Sequence, residues 1–375
     1  MPDPRTVRLA RLLVEYSIGM QPGWEVVLTG HTTAAPLLEA LCEQVLAGGG
    51  YPVVVPKLLN TDALYYRKAS PAQLDYVSPV ERLIYGGGDA VIFVRGQSNT
   101  RELAGAEPAN YPRHLKALNP VKDDYMKRTA EGKYQWAVTL YPTDGYAQEA
   151  GMSLAEYEDF VFRACHVDGE DVDPVAYWRN VSREQQRLVE WLKPRDKVVI
   201  RGQNADLSLS TKGRTFLSAD GVRNMPDGEV YTGPVEDSVE GWVRFTYPVS
   251  SETGPVDGVE LKFEAGKVVA ASATRRNDYL QAALATDAGA RYVGEFAIGT
   301  NRGVNRYTGT TLFDEKLGGT MHLALGNGYP ETGSQNHSAL HWDMVCDLRP
   351  GGKVFVDGKL VSENGRFLDP TWPQP

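Results

Sequence analysis

Residues 337–345 read HSALHWDMV, a short run in which polar and apolar side chains alternate over the second half. Alternation with a period of two is typical of a β-strand that buries one face. His341 and Asp343 then share one face, while Trp342 and Met344 point to the other face and into a core. An imidazole and a carboxylate on one strand face can bind the same metal ion. A neighbouring His and Asp are more often a structural hydrogen-bonded pair, so this stretch alone leaves both interpretations open.

Three further segments place a single histidine or glutamate inside a run of apolar or small residues. They are TMHLALG (320–326) with His322, VGEFAIGTN (293–301) with Glu295, and NMPDGEVYTGP (224–234) with Glu229. Because burial of an unpaired charge is costly, such side chains usually have a charged partner or a metal ion. Two histidines and three carboxylates suffice for two divalent ions if one carboxylate bridges them. On edge strands, Glu229 and Glu295 would instead face solvent.

Three nearby residues are candidates for other roles. Glu315, with Asp314 before it in LFDEKLGG (312–319), could act as a general base, although Asp-Glu-Lys is also common in exposed turns. Tyr329 could bind a metal or stabilise an oxyanion, and a surface position is the alternative. His337 lies four residues before His341 and shares its face only if the strand extends that far.

The first half of the chain alternates strand and helix patterns. A strand is predicted at EVVLT (25–29), a helix over 35–47, another strand at AVIFV (90–94), and a helix opened by the capping box of Ser153 and Glu156. Such alternation favours an α/β domain with parallel strands.

The second half is predicted to be rich in β-strands. Strand patterns occur at 198–202, 243–249, 267–273 and 353–359, with Asp257-Gly258 and Asp357-Gly358 as hairpin turns and one helix over 277–288. We therefore predict an α/β N-terminal domain over 1–195 and an α+β, β-rich metal-binding domain over 196–375.

The composition limits the partners and the compartment. The chain is acidic, with a formal net charge of -9 over 375 residues, and it would repel nucleic acid. Its three cysteines are far apart without a C-x-x-C pair, which fits a reducing compartment. The N-terminus lacks an uninterrupted apolar signal core, and no apolar run approaches the roughly 20 residues that span a bilayer. We predict a cytoplasmic protein with no membrane partner.

Four segments in this order resemble the M29 family of metallopeptidases, the thermophilic aminopeptidase T type. They are NMPDGEVYTGP (224–234), VGEFAIGTN (293–301), LFDEKLGGTMHLALG (312–326) and NHSALHWDMV (336–345). Each motif is short, but four in register over about 115 residues are specific. The first half fits the family more loosely, through its α/β pattern, PTDGYAQEAGMS (142–153) and GQNADLSLSTKGR (202–214).

The resemblance implies an aminopeptidase with two divalent ions. It implies metal ligands at Glu229, Glu295, His322, His341 and Asp343, with Glu295 as the bridge. The tyrosine ligand of the family falls at about Tyr329, and Glu315 is the candidate general base. Members form homodimers with enclosed active sites, which would restrict substrates to short peptides.

The function predicted from the sequence is hydrolysis of N-terminal residues from short peptides by a metal-bridged water. Zinc, cobalt, manganese and magnesium would each tolerate such a ligand set. Two alternatives stay open. One is a metal-dependent enzyme with a non-peptide substrate, either an amide hydrolase or an iron oxygenase that uses His322, His341 and Asp343. The other is a non-catalytic binding protein on the same scaffold.

Overall fold

The computed structural model describes residues 3–251 and 254–374. The mixed α/β class predicted from the sequence is confirmed. Contacts between Cα atoms divide the chain into two compact units. Unit 1 contains Met1–Tyr177 and Gly221–Pro226, and unit 2 contains Trp178–Asp220 and Asp227–Pro375. Within the part of the chain that the structure describes, no helix has both the length and the apolar character to cross a membrane.

Helices dominate the first half of the chain and strands the second. The helices are α1 (Pro4–Leu12), α2 (Ala35–Ala47), α3 (Thr61–Lys68), α4 (Pro71–Leu74), α5 (Pro79–Gly86), α6 (Asn110–Ala130), α7 (Asp144–Glu149), α8 (Leu154–Ala164), α9 (Pro174–Leu192), α10 (Asn277–Ala283) and α11 (Thr311–Asp314). The strands are β1 (Glu25–His31), β2 (Tyr51–Lys57), β3 (Ala90–Arg95), β4 (Gln135–Leu140), β5 (Lys197–Gly202), β6 (Ala205–Ser210), β7 (Leu217–Ala219), β8 (Asn224–Met225), β9 (Glu229–Thr232), β10 (Glu240–Arg244), β11 (Glu260–Glu264), β12 (Lys267–Ser272), β13 (Val293–Gly299), β14 (Thr320–Gly326), β15 (His341–Asp347), β16 (Lys353–Val356), β17 (Lys359–Glu363) and β18 (Arg366–Phe367).

Unit 1 is built on a parallel sheet of order β2-β1-β3-β4-β8. Val26, Val27 and Leu28 of β1 are fully buried, as expected for a parallel strand that is covered on both faces. The predicted capping box is present at the start of α8, where the Ser153 hydroxyl accepts from the Glu156 N–H and the Glu156 carboxylate accepts from the Ser153 N–H.

Unit 2 contains two largely antiparallel sheets. The larger has the order β12-β11-β10-β6-β5-β16-β17-β18, and the smaller has the order β15-β14-β13-β9-β7. Ile200 and Phe263 from the larger sheet share one hydrophobic core with Phe296, Leu323 and Met344 from the smaller sheet. Alternation therefore leaves the opposite face of the smaller sheet for other side chains.

The boundary between the units differs from the prediction near residue 195. Leu188 and Leu192 of α9 pack into the core of unit 2, so the helix belongs there from Trp178 onward. Residues 221–226 return to unit 1 because β8 pairs with β4. A boundary set by such long-range packing leaves no local mark in the sequence.

Three local predictions in unit 2 are also corrected. The strand predicted over 243–249 ends at Arg244, ahead of Pro248, which has no N–H for a ladder. The helix predicted over 277–288 ends at Ala283, and Asp287 accepts from two backbone N–H groups of the following turn instead. Asp257-Gly258 is not a two-residue hairpin, since Asp257 forms an isolated bridge with a distant residue, Arg275.

The predicted Asp357-Gly358 hairpin is present between β16 and β17, and it yields a stability test. Both central residues have positive φ, 49° and 81°, as a type I′ turn requires. In the part of the chain that the structure describes, no atom lies within 4 Å of a Cβ added to Gly358. We therefore expect Gly358→Ala to lower the free energy of unfolding by about 1 kcal/mol, purely from backbone conformation. Gly358→Asn should cost less, because Asn tolerates this region. Urea midpoints measure both, and an unchanged alanine variant would contradict the assigned turn.

Candidate metal centre

The strand register of the smaller sheet places the predicted ligands on one face. Glu295 of β13 lies opposite Ala324 of β14, which lies opposite Asp343 of β15. His322 is two residues from Ala324, and His341 is two residues from Asp343, so both imidazoles share that face. Trp342, between the last two ligands, is buried in the core on the other side, as predicted.

Glycines shape the sheet around the carboxylates. Glu229 begins β9 opposite Gly299, four residues along β13 from Glu295 and therefore on the same face. The pairing register shifts between Val293 and Glu295, which marks a β-bulge at Gly294. A Cβ on Gly294 would lie 2.4 Å from two backbone carbonyl oxygens, so only glycine fits there. The bulge sets the direction of the Glu295 side chain.

The ligand-type atoms surround two positions that share Glu295. His322 Nε2 lies 3.5 Å from Glu229 Oε2 and 3.6 Å from Glu295 Oε1. His341 Nε2 lies 3.5 Å from Glu295 Oε2 and 3.5 Å from Asp343 Oδ1. These separations are long for hydrogen bonds, but two ligands of one ion with bonds near 2.1 Å lie about 3.0–3.5 Å apart.

Several of these atoms are buried without a hydrogen-bond partner among the described residues. They are Glu229 Oε2, Asp343 Oδ1 and both ring nitrogens of His322. Buried polar atoms are normally paired, and exceptions need a reason. Divalent ions bind carboxylate oxygens and imidazole nitrogens. The atoms that face one another here are of these two kinds, so the residues fit a metal ion.

The charge balance of this face also favours cations. Burial raises the pKa of Glu229 to about 8. Burial disfavours the charged imidazole of His322, but Glu295 and Glu229 outweigh it and raise its pKa to about 9. For His341 burial is again outweighed, mainly by Asp343, which raises its pKa to about 10. These shifts favour protonated imidazoles beside the carboxylates, and divalent ions would have to displace those protons.

Glu315 lies against the same ligands, next to a buried lysine. Atoms of Glu315, Glu229 and His322 lie within 4.8 Å of one another. Lys316 Nζ lies 2.7 Å from Glu229 Oε1 and 3.3 Å from Glu315 Oε1. The segment that contains Glu315 and Lys316 packs closely against Gly299. A Cβ added to Gly299 would lie 2.3 Å from the backbone carbonyl oxygen of Leu317.

Lys316 is the site residue that the sequence analysis missed. Its side chain is only 1% exposed, and Asp227 Oδ1 is a third neighbour, 3.8 Å from the ammonium. Burial opposes the charge, but the surrounding carboxylates raise the pKa of Lys316 well above its usual value. The segment after α11 is neither helix nor strand, so no periodicity predicts the direction of its side chains. In the sequence Lys316 directly follows Asp314 and Glu315, and such a charged run is common in exposed turns.

Tyr329 and His337 take different positions. The Tyr329 ring centroid is 5.3 Å from that of His341, and burial with the site carboxylates raises the pKa of the phenol. His337 is exposed and precedes β15, so it does not share the face of His341 by strand alternation. His337 therefore does not orient the His341 ring. The backbone carbonyl of Asn327, which lies 2.8 Å from His341 Nδ1, takes that role.

A cavity of about 410 Å³ opens beside the ligands. Glu315, His341 and Asp343 line it, together with Asp314 and Tyr307. The Asp314 carboxylate is held by the backbone N–H and hydroxyl of Thr308, at 2.7 and 2.9 Å. A small substrate can therefore reach the ligand face of the sheet.

The chain is similar to known proteins in both sequence and fold. The sequence profile of the family described as thermophilic metalloprotease (M29) matches residues 3–367. Aminopeptidase 2 of Geobacillus stearothermophilus is 28% identical over 94% of this chain and 94% of its own. The structure of wild-type AmpT from Thermus thermophilus gives a TM-score of 0.83 at 22% identity, over 97% of this chain and 99% of that one.

A second solved structure shares the fold alone. The 2,5-dihydroxypyridine dioxygenase from Pseudomonas putida gives a TM-score of 0.60 at 13% identity, over 97% of both chains. Because the M29 profile spans nearly the whole sequence, the family rests on that match and not on fold likeness. The chain belongs to the M29 metalloprotease family and is a metal-dependent peptidase.

Proposed function

We propose that this peptidase is a two-metal aminopeptidase that removes N-terminal residues from short peptides. The observation that carries the proposal is the position of Glu295, whose two oxygens face two different imidazoles. One carboxylate can thus serve two ion positions. Glu229 and His322 would complete one position, and His341 and Asp343 the other, with Tyr329 as a further candidate ligand. Zinc, cobalt, manganese and magnesium all suit such donors to some degree.

Bound ions would supply charge stabilisation for the scissile carbonyl and would lower the pKa of the attacking water. The chain itself would supply the proton transfer. Glu315 would accept the proton of the water and donate it to the departing amine. Burial raises the pKa of Glu315, which brings the carboxylate closer to the operating pH of a general base.

The free amine of a substrate is a cation, and the cavity walls offer carboxylates to it. Asp314 and Glu315 both line the cavity. Attraction of the amine would hold the first peptide bond over the ligand face and so favour exopeptidase action. The cavity volume of about 410 Å³ suits short peptides.

We further propose a cytoplasmic homodimer. The resemblance to M29 enzymes supports the dimer. The three cysteines are far apart in the sequence and form no C-x-x-C pair, which supports a reducing compartment. Size-exclusion chromatography with light scattering would measure the mass, and a monomer at every concentration would contradict the dimer.

Metal removal is the first test of the proposed function. Chelation should abolish hydrolysis of aminoacyl chromogenic substrates, and two equivalents of a divalent ion per chain should restore it at the site of unit 2. Full activity after complete metal removal would contradict the proposal. The matched substrate control is the N-acetylated form of the same peptide, which should not be cleaved. Cleavage of both forms would indicate an amide hydrolase, and a requirement for one iron with oxygen would indicate the oxygenase alternative.

The role of Glu315 is tested by Glu315→Gln. The variant should keep the metal content of the wild type while kcat falls by about 10²–10⁴, the usual contribution of a positioned general base. Glu264→Gln is the control, because Glu264 is an exposed residue of the larger sheet that pairs with Lys262. Loss of an ion from Glu315→Gln would instead make this carboxylate a ligand, and unchanged kcat would assign the base elsewhere.

Lys316→Met removes the buried ammonium without much change in volume. In chelated protein we expect a loss of about 3–5 kcal/mol in stability, because Glu229 and Glu315 keep their burial and lose their cation. Divalent ions supply compensating charge, so the loss should shrink when the protein is loaded. Lys353→Met is the control; it breaks an exposed pair with Glu363 and should cost at most about 1 kcal/mol. Denaturant unfolding with and without chelator measures both, and equal losses in the two states would argue against ions next to Lys316.

A further inference from the structure

The parallel sheet of unit 1 has a position where the connections change direction. From β1 the chain crosses to β2 on one side, whereas β3 lies on the other side of β1. In open α/β sheets, ligands bind beyond the carboxyl ends of the strands at such a position. His31 is the last residue of β1, Lys57 is the last residue of β2, and Glu102 lies in the turns after β3.

A cavity of about 1370 Å³ lies at this edge of the sheet, wholly within unit 1. His31, Lys57, Asp62 and Glu102 line it, and its other walls include aromatic rings such as Tyr65. None of these residues belongs to the site of unit 2. The charged residues therefore form a separate polar cluster inside a largely apolar cavity.

The imidazole of His31 is the feature that points to a ligand. His31 is only 8% exposed, and its Nδ1 is buried without a hydrogen-bond partner among residues 3–251 and 254–374. One nitrogen of this ring lies within 4.8 Å of carboxylate oxygens of both Asp62 and Glu102, which also lie within 4.8 Å of each other. Asp62 has an ordinary role in the first turn of α3, but that role explains neither His31 nor Glu102.

We propose that His31, Asp62 and Glu102 bind a divalent cation in the cavity of unit 1. One imidazole nitrogen and two carboxylate oxygens are a donor set suited to zinc, cobalt or manganese. Three protein ligands leave coordination positions that face the cavity, where water or a small anionic ligand can bind. This cation is additional to the ions of the proposed aminopeptidase site.

The positive charge of Lys57 allows cation binding to be distinguished from structural damage. Its ammonium lies 3.9 Å from Asp62 Oδ2 and is half-exposed, so it can move aside when a cation binds. Its positive charge nevertheless opposes the cation. Removal of the Lys57 charge should strengthen cation binding, an effect opposite in sign to that of simple structural damage.

The test is cobalt binding to the full-length chain after chelation, by equilibrium dialysis with elemental analysis and visible absorption. Wild type should bind one Co²⁺ more than His31→Gln or Glu102→Gln at a free concentration where the wild-type site is filled. Each substitution should weaken this site by at least about tenfold. Lys57→Met should strengthen it by roughly fivefold, from the loss of Coulomb repulsion. Glu107→Gln, an exposed neighbour of Glu102 in the chain, is the control and should bind as the wild type does.

Equal cobalt content in wild type, His31→Gln and Glu102→Gln would overturn the proposal, as would a Lys57→Met protein that binds no more tightly. Circular dichroism checks the fold, and Glu102, which is only half-buried, provides a variant that does not depend on a core position. The difference of one bound Co²⁺ between the wild type and these two variants does not depend on how many ions the site in unit 2 holds. If His341→Ala lost the aminopeptidase ions, or if that site held fewer than two, the ion of unit 1 would still be counted by the same comparison.

Discussion

Repulsion among buried carboxylates is the constraint on which the rest of unit 2 depends. Glu229, Glu295 and Asp343 converge on one face of a five-stranded sheet, and most of their surroundings exclude water. Such a face is stable only if cations are present, whether as protons on imidazoles, a lysine ammonium or metal ions. The structure provides the lysine ammonium, and the raised pKa values of His322 and His341 favour their protonated forms. The ligand-type atoms without hydrogen-bond partners among the described residues point to metal ions as the third kind.

The same sheet explains why the site can be both buried and ordered. Its opposite face belongs to the shared hydrophobic core, so residues such as Phe296 and Met344 fix the strands from behind. Glu229, Glu295 and His322 lie on strands that are paired on both sides. His341 and Asp343 lie on the edge strand β15, which pairs with β14. The apolar core thus provides the rigidity, and the polar face provides the chemistry.

Much of this site could be predicted from the sequence because strand alternation is a local property. His341, Asp343 and His322 each lie on a strand whose period of two fixes which side chains share a face. Glu295 needed more, since a bulge at Gly294 sets its direction, and a bulge depends on contacts with the next strand. Lys316 could not be placed at all, because the segment around it has no periodic backbone. The predicted boundary between the units differs from the structure for a related reason. The sequence of α9 shows that the helix has a hydrophobic face, but it does not show which core that face packs against.

Small residues opposite the ligands have a consequence for how such a site can be lost. Ala324 sits between Glu295 and Asp343 in their cross-strand row, and Ala297 lies opposite His322. These two methyl groups leave space above the sheet that the proposed ions and substrate would occupy. A branched residue at either position would keep the backbone pairing of the strands yet fill that space. A descendant of this chain could therefore retain its fold and every candidate ligand while losing its chemistry through one added side chain.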